Sequence, residues 1–238
     1  MSGVSFLVFA RCTGFVFRAP GLSHPTVPPA VRAGLALYLT LAIAPGVHGA
    51  HVGSAFAFTL ALASEFMLGS AIGMAASLLY DAAYAGGRAI DDYVGVKAIA
   101  PSMNLVAPSG YGRIWSLAFT GAYVLLGAYR PTLAFFAESF ARIVPGAPFV
   151  SQSWAPFALA YAREIILVGT AVAAPAIALA FVVQIGLGAL SRTIPRFGTL
   201  TLSFPLVFGA ALIVTALCVP LVAAQAGHPL LSMPVRVP

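Results

Sequence analysis

Five residues spaced four apart are the first group in the sequence whose types could do chemistry. They are Glu65, Gly69, Gly73, Ser77 and Asp81. On an α-helix, residues at this spacing form a slowly drifting row on one face. Two interpretations stay open: a packing seam, in which the GxxxG glycines let another backbone approach closely, or a polar lining with a proton site. Because a carboxylate is costly to insert into lipid, we expect Glu65 to face protein or water.

A second charged group follows in the segment GGRAIDDYVG at residues 86–95. Arg88 precedes Asp91 by three residues and Asp92 by four, so a helix would bring either carboxylate to the guanidinium. The two acids could also suggest a cation site or an acid/base pair. However, neighbouring helical residues diverge by about 100°, and no third ligand stands at a suitable spacing. The pattern favours a buried, ion-paired structural knot of these three residues.

The sequence contains no group of residues that is typical of an enzyme. All four histidines lie in connectors rich in proline and glycine, and HExxH, GxSxG, P-loop and dinucleotide-binding motifs are absent. Cys12 and Cys218 lie far apart in apolar stretches and belong to no CxxC or Cys/His cluster. We therefore expect two free buried thiols, and no catalytic residue, metal or cofactor.

The elements that position these residues must be mostly apolar. Hydrophobic residues make up 61% of the chain and charged residues 8%, whereas a soluble domain has about 25% charged residues. The composition therefore predicts an all-α integral membrane protein, since the alternating pattern of a membrane barrel is absent. The net charge of +6 comes from scattered arginines. Without a basic patch, no nucleic acid is expected as a partner.

Six apolar segments are visible, at residues 4–18, 31–45, 54–85, 114–129, 156–190 and 200–224. A helix that crosses a bilayer needs about 20 apolar residues, and several of these segments are much shorter or longer. The uneven lengths predict kinked helices and helical hairpins that pack against protein. A stretch rich in proline divides the chain into a predicted N-terminal part, 1–150, and a C-terminal helical hairpin, 151–238.

The stretch SRTIPRFGTLTLSFP at residues 191–205 interrupts the apolar C-terminal half. Pro195 disfavours helix before it, and Gly198 permits a sharp turn. Arg192 and Arg196 favour the cytoplasmic side of a membrane. An ordinary cytoplasmic loop and a contact surface for a partner protein remain equally open from these residues.

Three segments in order resemble the FliR/SctT family of type III export apparatus proteins. They are VPPAVRAGLALYLTLAIAP (27–45), SEFMLGSAIGMAASLLYDAAYAGGRAIDDYVG (64–95) and LGALSRTIPRFGTLTLSFPLVFGAAL (187–212). The second resembles the family's Glu-Gly-Gly…Gly-x-x-Ile-Asp…Gly segment, and the third resembles its Arg-x-x-Pro…Phe-Pro hairpin. The resemblance covers most of the chain.

The resemblance implies a non-enzymatic, multi-pass subunit of an export gate in the bacterial inner membrane. Such a subunit assembles with FliP/SctR-like and FliQ/SctS-like membrane subunits, and the gate conducts unfolded secreted proteins across the lipid bilayer. The C-terminal hairpin is then FliQ/SctS-like, and its turn faces an FlhB/SctU-like switch protein. The residues of this partner-facing turn are Arg192, Pro195, Arg196, Phe204 and Pro205.

The resemblance also implies that the loop at 100–113 plugs the pore of the gate. The residues of this plug are Pro101, Met103, Pro108 and Gly110. Flagellar members have an Asp-Pro-Gln-like run in this loop, where this sequence has Ala-Pro-Ser at 100–102. The difference favours an injectisome member over a flagellar one.

The alternative function is that of a small secondary transporter or channel subunit, with Glu65 as the coupling carboxylate. The absence of an inverted repeat and the uneven helices count against it. A membrane enzyme is a third class, but it would need a catalytic constellation. Behaviour in mild detergent separates the first two, because a transporter is a monomer or homo-oligomer whereas a gate subunit needs heterologous partners.

Overall fold

The computed structural model of the chain describes residues 3–23, 27–49, 53–95, 110–147, 154–194 and 200–225. These residues form α-helices and their connections, with no strand among them, which confirms the predicted all-α class. The helices are α1 (Gly3–Arg18), α2 (Pro29–Ile43), α3 (Ala55–Val94), α4 (Gly110–Leu125), α5 (Tyr129–Arg142), α6 (Trp154–Ser191) and α7 (Leu200–Gln225). A single 3-10 turn, Ala44–Gly46, follows α2.

Three helical segments of the described chain are long and apolar enough to cross a bilayer. They are Pro29–Gly46, Ala55–Val94 and Ala155–Ser191. With 40 residues, α3 is about 60 Å long at 1.5 Å per residue, which is twice the thickness of a hydrocarbon core of about 30 Å. The chain is an all-α polytopic membrane protein whose helices are uneven in length, as the apolar segments predicted.

Helix α5 differs from the sequence-based expectation, which had an apolar segment continue to residue 129. Instead α4 ends at Leu125, and Gly127, with φ of 71°, turns the chain before α5 begins. Pro131 lies in the first turn of α5, where its missing N–H removes no helical hydrogen bond. The helix was missed because it is amphipathic and not apolar throughout.

The described residues fold into two compact units, and each unit combines two separate stretches of them. Unit 1 combines the described residues up to Leu78 with residues 126–162, and unit 2 combines Leu79–Leu125 with the chain from Arg163 to the end of α7. The boundaries fall inside α3, between α4 and α5, and inside α6, and the two long helices α3 and α6 contribute to both units. The predicted division at residue 150 stays a prediction.

In unit 1, α1 packs against α2, α3 and α5 around an aromatic core. Phe15 of α1 stacks on Phe136 of α5, with 4.2 Å between the ring centroids. Phe136 in turn meets Phe140 edge-on, at 5.4 Å. One turn before Phe15, the guanidinium of Arg11 lies over the Phe140 ring. Residues that advance along α1 thus meet residues that recede along α5, and the two helices run antiparallel.

In unit 2, α4 packs against the C-terminal part of α3, α6 and α7. The buried Trp115 and Tyr111 of α4 contribute the largest side chains to this core, together with Val172 of α6 and Val207 of α7. The Tyr111 hydroxyl donates a hydrogen bond to the carbonyl oxygen of Phe208 at 2.7 Å. Helices α6 and α7 therefore share one apolar core with α4.

Candidate functional site

Arg11 and Glu65 form a buried ion pair in unit 1. The Nε of Arg11 donates to Oε2 of Glu65 at 2.6 Å, and the two side chains are 1% and 2% exposed. The residues are 54 apart in sequence and come from α1 and α3. A lone buried charge of either sign would be costly, so each residue is needed to neutralise the other.

The other donors of Arg11 are directed at the C-terminal end of α5. Its Nη1 donates to the carbonyl oxygen of Ser139 at 3.0 Å, and its Nη2 donates to that of Ile143 at 2.9 Å. The Ser139 carbonyl also accepts the backbone N–H of Ile143 at 2.9 Å, and both carbonyls lie at the negative end of the helix dipole, which favours a cation. The ring of Phe140 lies 4.4 Å from the guanidinium carbon and adds a cation–π contact. One arginine therefore joins α1, α3 and α5.

The second oxygen of Glu65 holds the turn that follows α5. Oε1 accepts a hydrogen bond from the backbone N–H of Gly146 at 3.0 Å. Gly146 has φ of 83°, and the N–H of Ala147 donates to the carbonyl oxygen of Val144 at 3.0 Å. Pro145 followed by a glycine with positive φ is the pattern of a type II β-turn. Both carboxylate oxygens are thus occupied within the chain.

Glycines bring the backbones of α1 and α3 into contact beside this pair. A Cβ at Gly69 would overlap the carbonyl oxygen of Arg11, and one at Gly73 would lie 2.7 Å from that of Phe15. From the other side, a Cβ at Gly14 of α1 would overlap the carbonyl oxygen of Phe66. Small residues allow such close approach. The close approach places the side chain of Arg11 within reach of Glu65.

The structure brings three residues of the predicted row, Glu65, Gly69 and Gly73, against α1 of the same chain. Ser77 is buried and donates back to the carbonyl oxygen of Met74 at 3.2 Å. Asp81 is half-buried and belongs to unit 2. A seam between this row and a partner subunit stays a prediction.

Asp91 occupies a second polar position, in unit 2. Its buried carboxylate accepts hydrogen bonds from the backbone N–H groups of Tyr111, at 3.1 Å, and Gly112, at 3.4 Å. These amides lie in the first turn of α4, where N–H groups lack helical partners and a negative charge is favourable. A Cβ at Gly87 would overlap the backbone of Gly112, so α3 and α4 meet closely at this point.

The predicted ion-paired knot of Arg88, Asp91 and Asp92 stays a prediction. Only Asp91 is buried, whereas Arg88 and Asp92 are exposed, and the Arg88 guanidinium lies 6.0 Å from the ring centroid of Tyr84. The amides in the first turn of α4 give the Asp91 carboxylate hydrogen bonds that the sequence did not suggest.

Most of the predicted plug loop lies outside the described residues. Pro101, Met103 and Pro108 belong to that part of the chain. Gly110 is the first residue of α4, so residues 110–113 are helical and correct the predicted loop, which extended to residue 113. The Asp91 carboxylate explains why the helix begins there.

The predicted partner-facing turn is described only at its two ends. Pro195 and Arg196 lie outside the described residues, while Arg192 is exposed just beyond the end of α6. On the other side of the turn, Phe204 is half-buried and Pro205 is exposed within α7. Within the described chain, Cys12 and Cys218 are free thiols, and no three His, Cys, Asp or Glu residues come together as metal ligands.

Sequence reasoning did not identify Arg11 as a site residue. The signal was a cation in the middle of the apolar segment 4–18, away from the Arg18 that ends it, because such a cation has to find a carboxylate or water when the segment is buried.

The fold and this site together define a class, namely a polytopic membrane protein whose first helix is locked onto a long third helix by glycines and a buried ion pair. The chain matches the bacterial export proteins, family 1, over residues 3–233, and it belongs to that family. The resemblance to the FliR/SctT family is thereby confirmed.

Three relatives show the extent of the similarity. The flagellar biosynthetic protein FliR of Escherichia coli (strain K12) is 26% identical over 230 residues, which cover 94% of this chain and 87% of that protein. FliR of Aquifex aeolicus (strain VF5) is 24% identical, with 91% and 85% covered. The Yop proteins translocation protein T of Yersinia pestis is 27% identical over 188 residues, with 74% and 70% covered.

Proposed function

We propose that the chain is a non-enzymatic subunit of a type III export gate in the bacterial inner membrane. Its family membership over almost the whole chain, with both flagellar and Yop translocation relatives, supports this role. In the gate it helps to form the conduit for unfolded secreted proteins. Its partners are FliP/SctR-like and FliQ/SctS-like subunits and an FlhB/SctU-like switch protein.

The observation that favours this role over a transporter is the occupation of Glu65. A coupling carboxylate has to exchange a proton or an ion with water during each transport cycle. Glu65 instead gives one oxygen to Arg11 and the other to the Gly146 amide, and its side chain is 2% exposed. The carboxylate is therefore suited to hold helices together and poorly suited to carry a proton.

The exposed apolar surface of the long helices supports a place inside an assembly or a bilayer. In an 18-residue apolar window of each span, the rest of the chain buries only 11% for Pro29–Gly46 and 28% for Ala55–Val94 and for Ala155–Ser191. Bulky side chains such as Tyr38, Leu41 and Phe56 are among those left exposed. Lipid or neighbouring helices must cover such a surface.

Two local roles in the gate are part of the proposal. Residues 100–109 form the movable plug of the conduit, a role that rests on the family resemblance. The turn between α6 and α7 faces the switch protein, which the exposed Arg192 and Pro205 at its two ends support.

Co-purification in mild detergent tests the assignment. The tagged chain is expressed with and without the FliP/SctR-like and FliQ/SctS-like subunits of the same genome, and its mass is measured by native mass spectrometry. We expect a defined complex with the partners and aggregation or degradation without them. A stable homo-oligomer that moves a small solute without the partners would favour the transporter instead.

A deletion strain tests the biological output. Loss of the gene should abolish export, and a plasmid copy should restore it. Loss of motility would assign the chain to a flagellar apparatus, and loss of effector secretion with motility intact would assign it to an injectisome. The Ala-Pro-Ser run at 100–102 leads us to expect the second outcome.

A further inference from the structure

We propose that one face of α5 is in contact with water in the assembled protein and is not covered by lipid. This α5 outer face consists of Arg130, Ala134, Ala137, Glu138, Ala141 and Arg142, all of which are exposed. Their spacing of three and four residues places them in one stripe along the helix. The opposite side of α5 holds the buried Phe136, Ser139 and Phe140.

The charges on the α5 outer face are the first argument for water. Arg142 donates to Oε1 of Glu138 from Nε at 3.2 Å and from Nη2 at 2.9 Å, and the two side chains are 64% and 55% exposed. In hydrocarbon both charges would lose their hydration, and the attraction within one ion pair does not repay that loss unless further hydrogen bonds satisfy the groups. The pair therefore requires an aqueous surrounding.

The geometry of α5 disfavours an arrangement in which its charges reach the two edges of a bilayer. The helix has 14 residues, so it is about 21 Å long, whereas the hydrocarbon core is about 30 Å thick. In a crossing α5 the two arginines would have to extend outward to opposite edges, but Arg142 is hydrogen-bonded back to Glu138, which lies nearer the helix centre. Snorkelling to a single edge fails as well, because the two arginines lie about 18 Å apart along the axis.

Helix α5 also lies between the buried Arg11–Glu65 ion pair and the α5 outer face. Its inner side gives the Ser139 carbonyl to Arg11 at 3.0 Å, and its outer side carries Glu138 one residue earlier. The Arg11–Glu65 pair thus lies one helix away from the α5 outer face. The source of the water at this face rests on the proposed function. The conduit of the gate is one aqueous space, and the bulk solvent on either side of the membrane is another.

Cysteine labelling tests the proposal in the assembled complex within native membranes. Ala137→Cys and Ala141→Cys are introduced separately into a chain in which Cys12 and Cys218 are replaced by alanine, and a membrane-impermeant maleimide is added. The matched control is Ala178→Cys, an exposed alanine on α6 with the exposed apolar Phe181 and Val182 beside it. Labelling in denaturing detergent serves to normalise the rates.

We expect both α5 cysteines to react about tenfold or more faster than the α6 cysteine, because a thiol needs water to ionise. Equal rates at the three positions would overturn the proposal, and so would protection of the α5 cysteines by a bound partner subunit. Export is measured in these strains and in the deletion strain. If the gate assignment is wrong, export in the deletion strain is unchanged, and this result is independent of the labelling.

A stalled export substrate distinguishes the two sources of water. A substrate fused to a tightly folded domain should occupy the conduit. If the α5 outer face lines the conduit, labelling at Ala137→Cys should fall when the stalled substrate is present. If labelling is unchanged, the face meets bulk solvent. Both results leave the contact with water established by the comparison with Ala178→Cys.

Discussion

The backbone carbonyl of Arg11 lies directly against Gly69, one helical turn after the Glu65 carboxylate to which the Arg11 side chain is bonded. Arg11 is therefore fixed to α3 twice, through its backbone and through its guanidinium. A wider separation of the two helices would lengthen the ion pair, and a broken pair would remove the main polar contact between them. Seam and ion pair act as one structural unit.

Gly69→Ala should destabilise the protein, because its methyl group would overlap the Arg11 carbonyl oxygen and α1 would have to move. We expect a loss of about 1–3 kcal/mol, as for other overpacked cores. The matched control is Gly34→Ala on α2, where nothing lies within 4 Å and alanine should favour the helix by up to about 1 kcal/mol. Thermal unfolding of the purified complex measures both, and equal stability of the two variants would contradict the seam.

Arg11→Leu and Glu65→Leu should each cost about 3–5 kcal/mol, because each leaves the opposite charge buried alone. The double variant should cost less than the sum, because no stranded charge remains. A double-mutant cycle on the free energy of unfolding gives the coupling. As a control, Arg142→Leu breaks the exposed pair with Glu138 and should cost no more than about 1 kcal/mol. Additive effects at Arg11 and Glu65 would argue against a coupled pair.

Asp91→Ala should weaken the start of α4 by about 0.5–2 kcal/mol, the usual effect of losing a side chain that accepts hydrogen bonds from helix N-terminal amides. Asp91→Asn should recover part of this, because an amide oxygen still accepts a hydrogen bond. The neighbouring Asp92 is exposed, and Asp92→Ala should change stability by less than about 0.5 kcal/mol. Protease resistance of the complex reports the differences, and a larger effect at Asp92 than at Asp91 would refute the capping role.

Deletion of residues 102–109 tests the plug. The deletion stops before Gly110, so α4 keeps its first turn and its Asp91 contact. A conduit without its plug should leak ions at rest, and we expect a raised membrane conductance in cells that carry the whole complex. The same deletion in cells without the partner subunits should produce no leak. An intact complex with unchanged conductance would show that these residues are not the plug.

The sequence predicted the features that depend on a regular apolar period. The all-α class, the uneven long helices and the small residues at Gly69 and Gly73 all follow from local spacing, which one helix determines by itself. The boundary between α4 and α5, at Gly127 and Pro131, was harder to predict from the sequence. Proline ends a helix in its interior but is tolerated in a first turn, and Pro131 occupies the second situation.

Sequence reasoning singled out the carboxylates of the candidate site but not the groups that bind them. Glu65 was recognised because a carboxylate stands out in an apolar segment, but its partner is 54 residues away on α1 and no local period connects the two. Arg88 was predicted to pair with Asp91 or Asp92 because local spacing favours a neighbour on the same helix, and such spacing does not indicate the amides that bind Asp91. Its amide partners come from α4, which lies 20 residues further along the chain. Contacts between distant segments depend on tertiary packing, which local residue spacing cannot predict.

The acceptors of Arg11 have a consequence for synthesis of the chain. The carbonyl oxygen of Ile143 is 132 residues further along the chain than Arg11. At roughly 5–20 residues per second, the ribosome needs on the order of 10 s to reach it. Glu65 follows Arg11 by 54 residues, so until α3 is made the guanidinium has no carboxylate to neutralise it, and water or an insertase must hold it outside the hydrocarbon. Helix α1 therefore gains its contacts with α5 long after it is made.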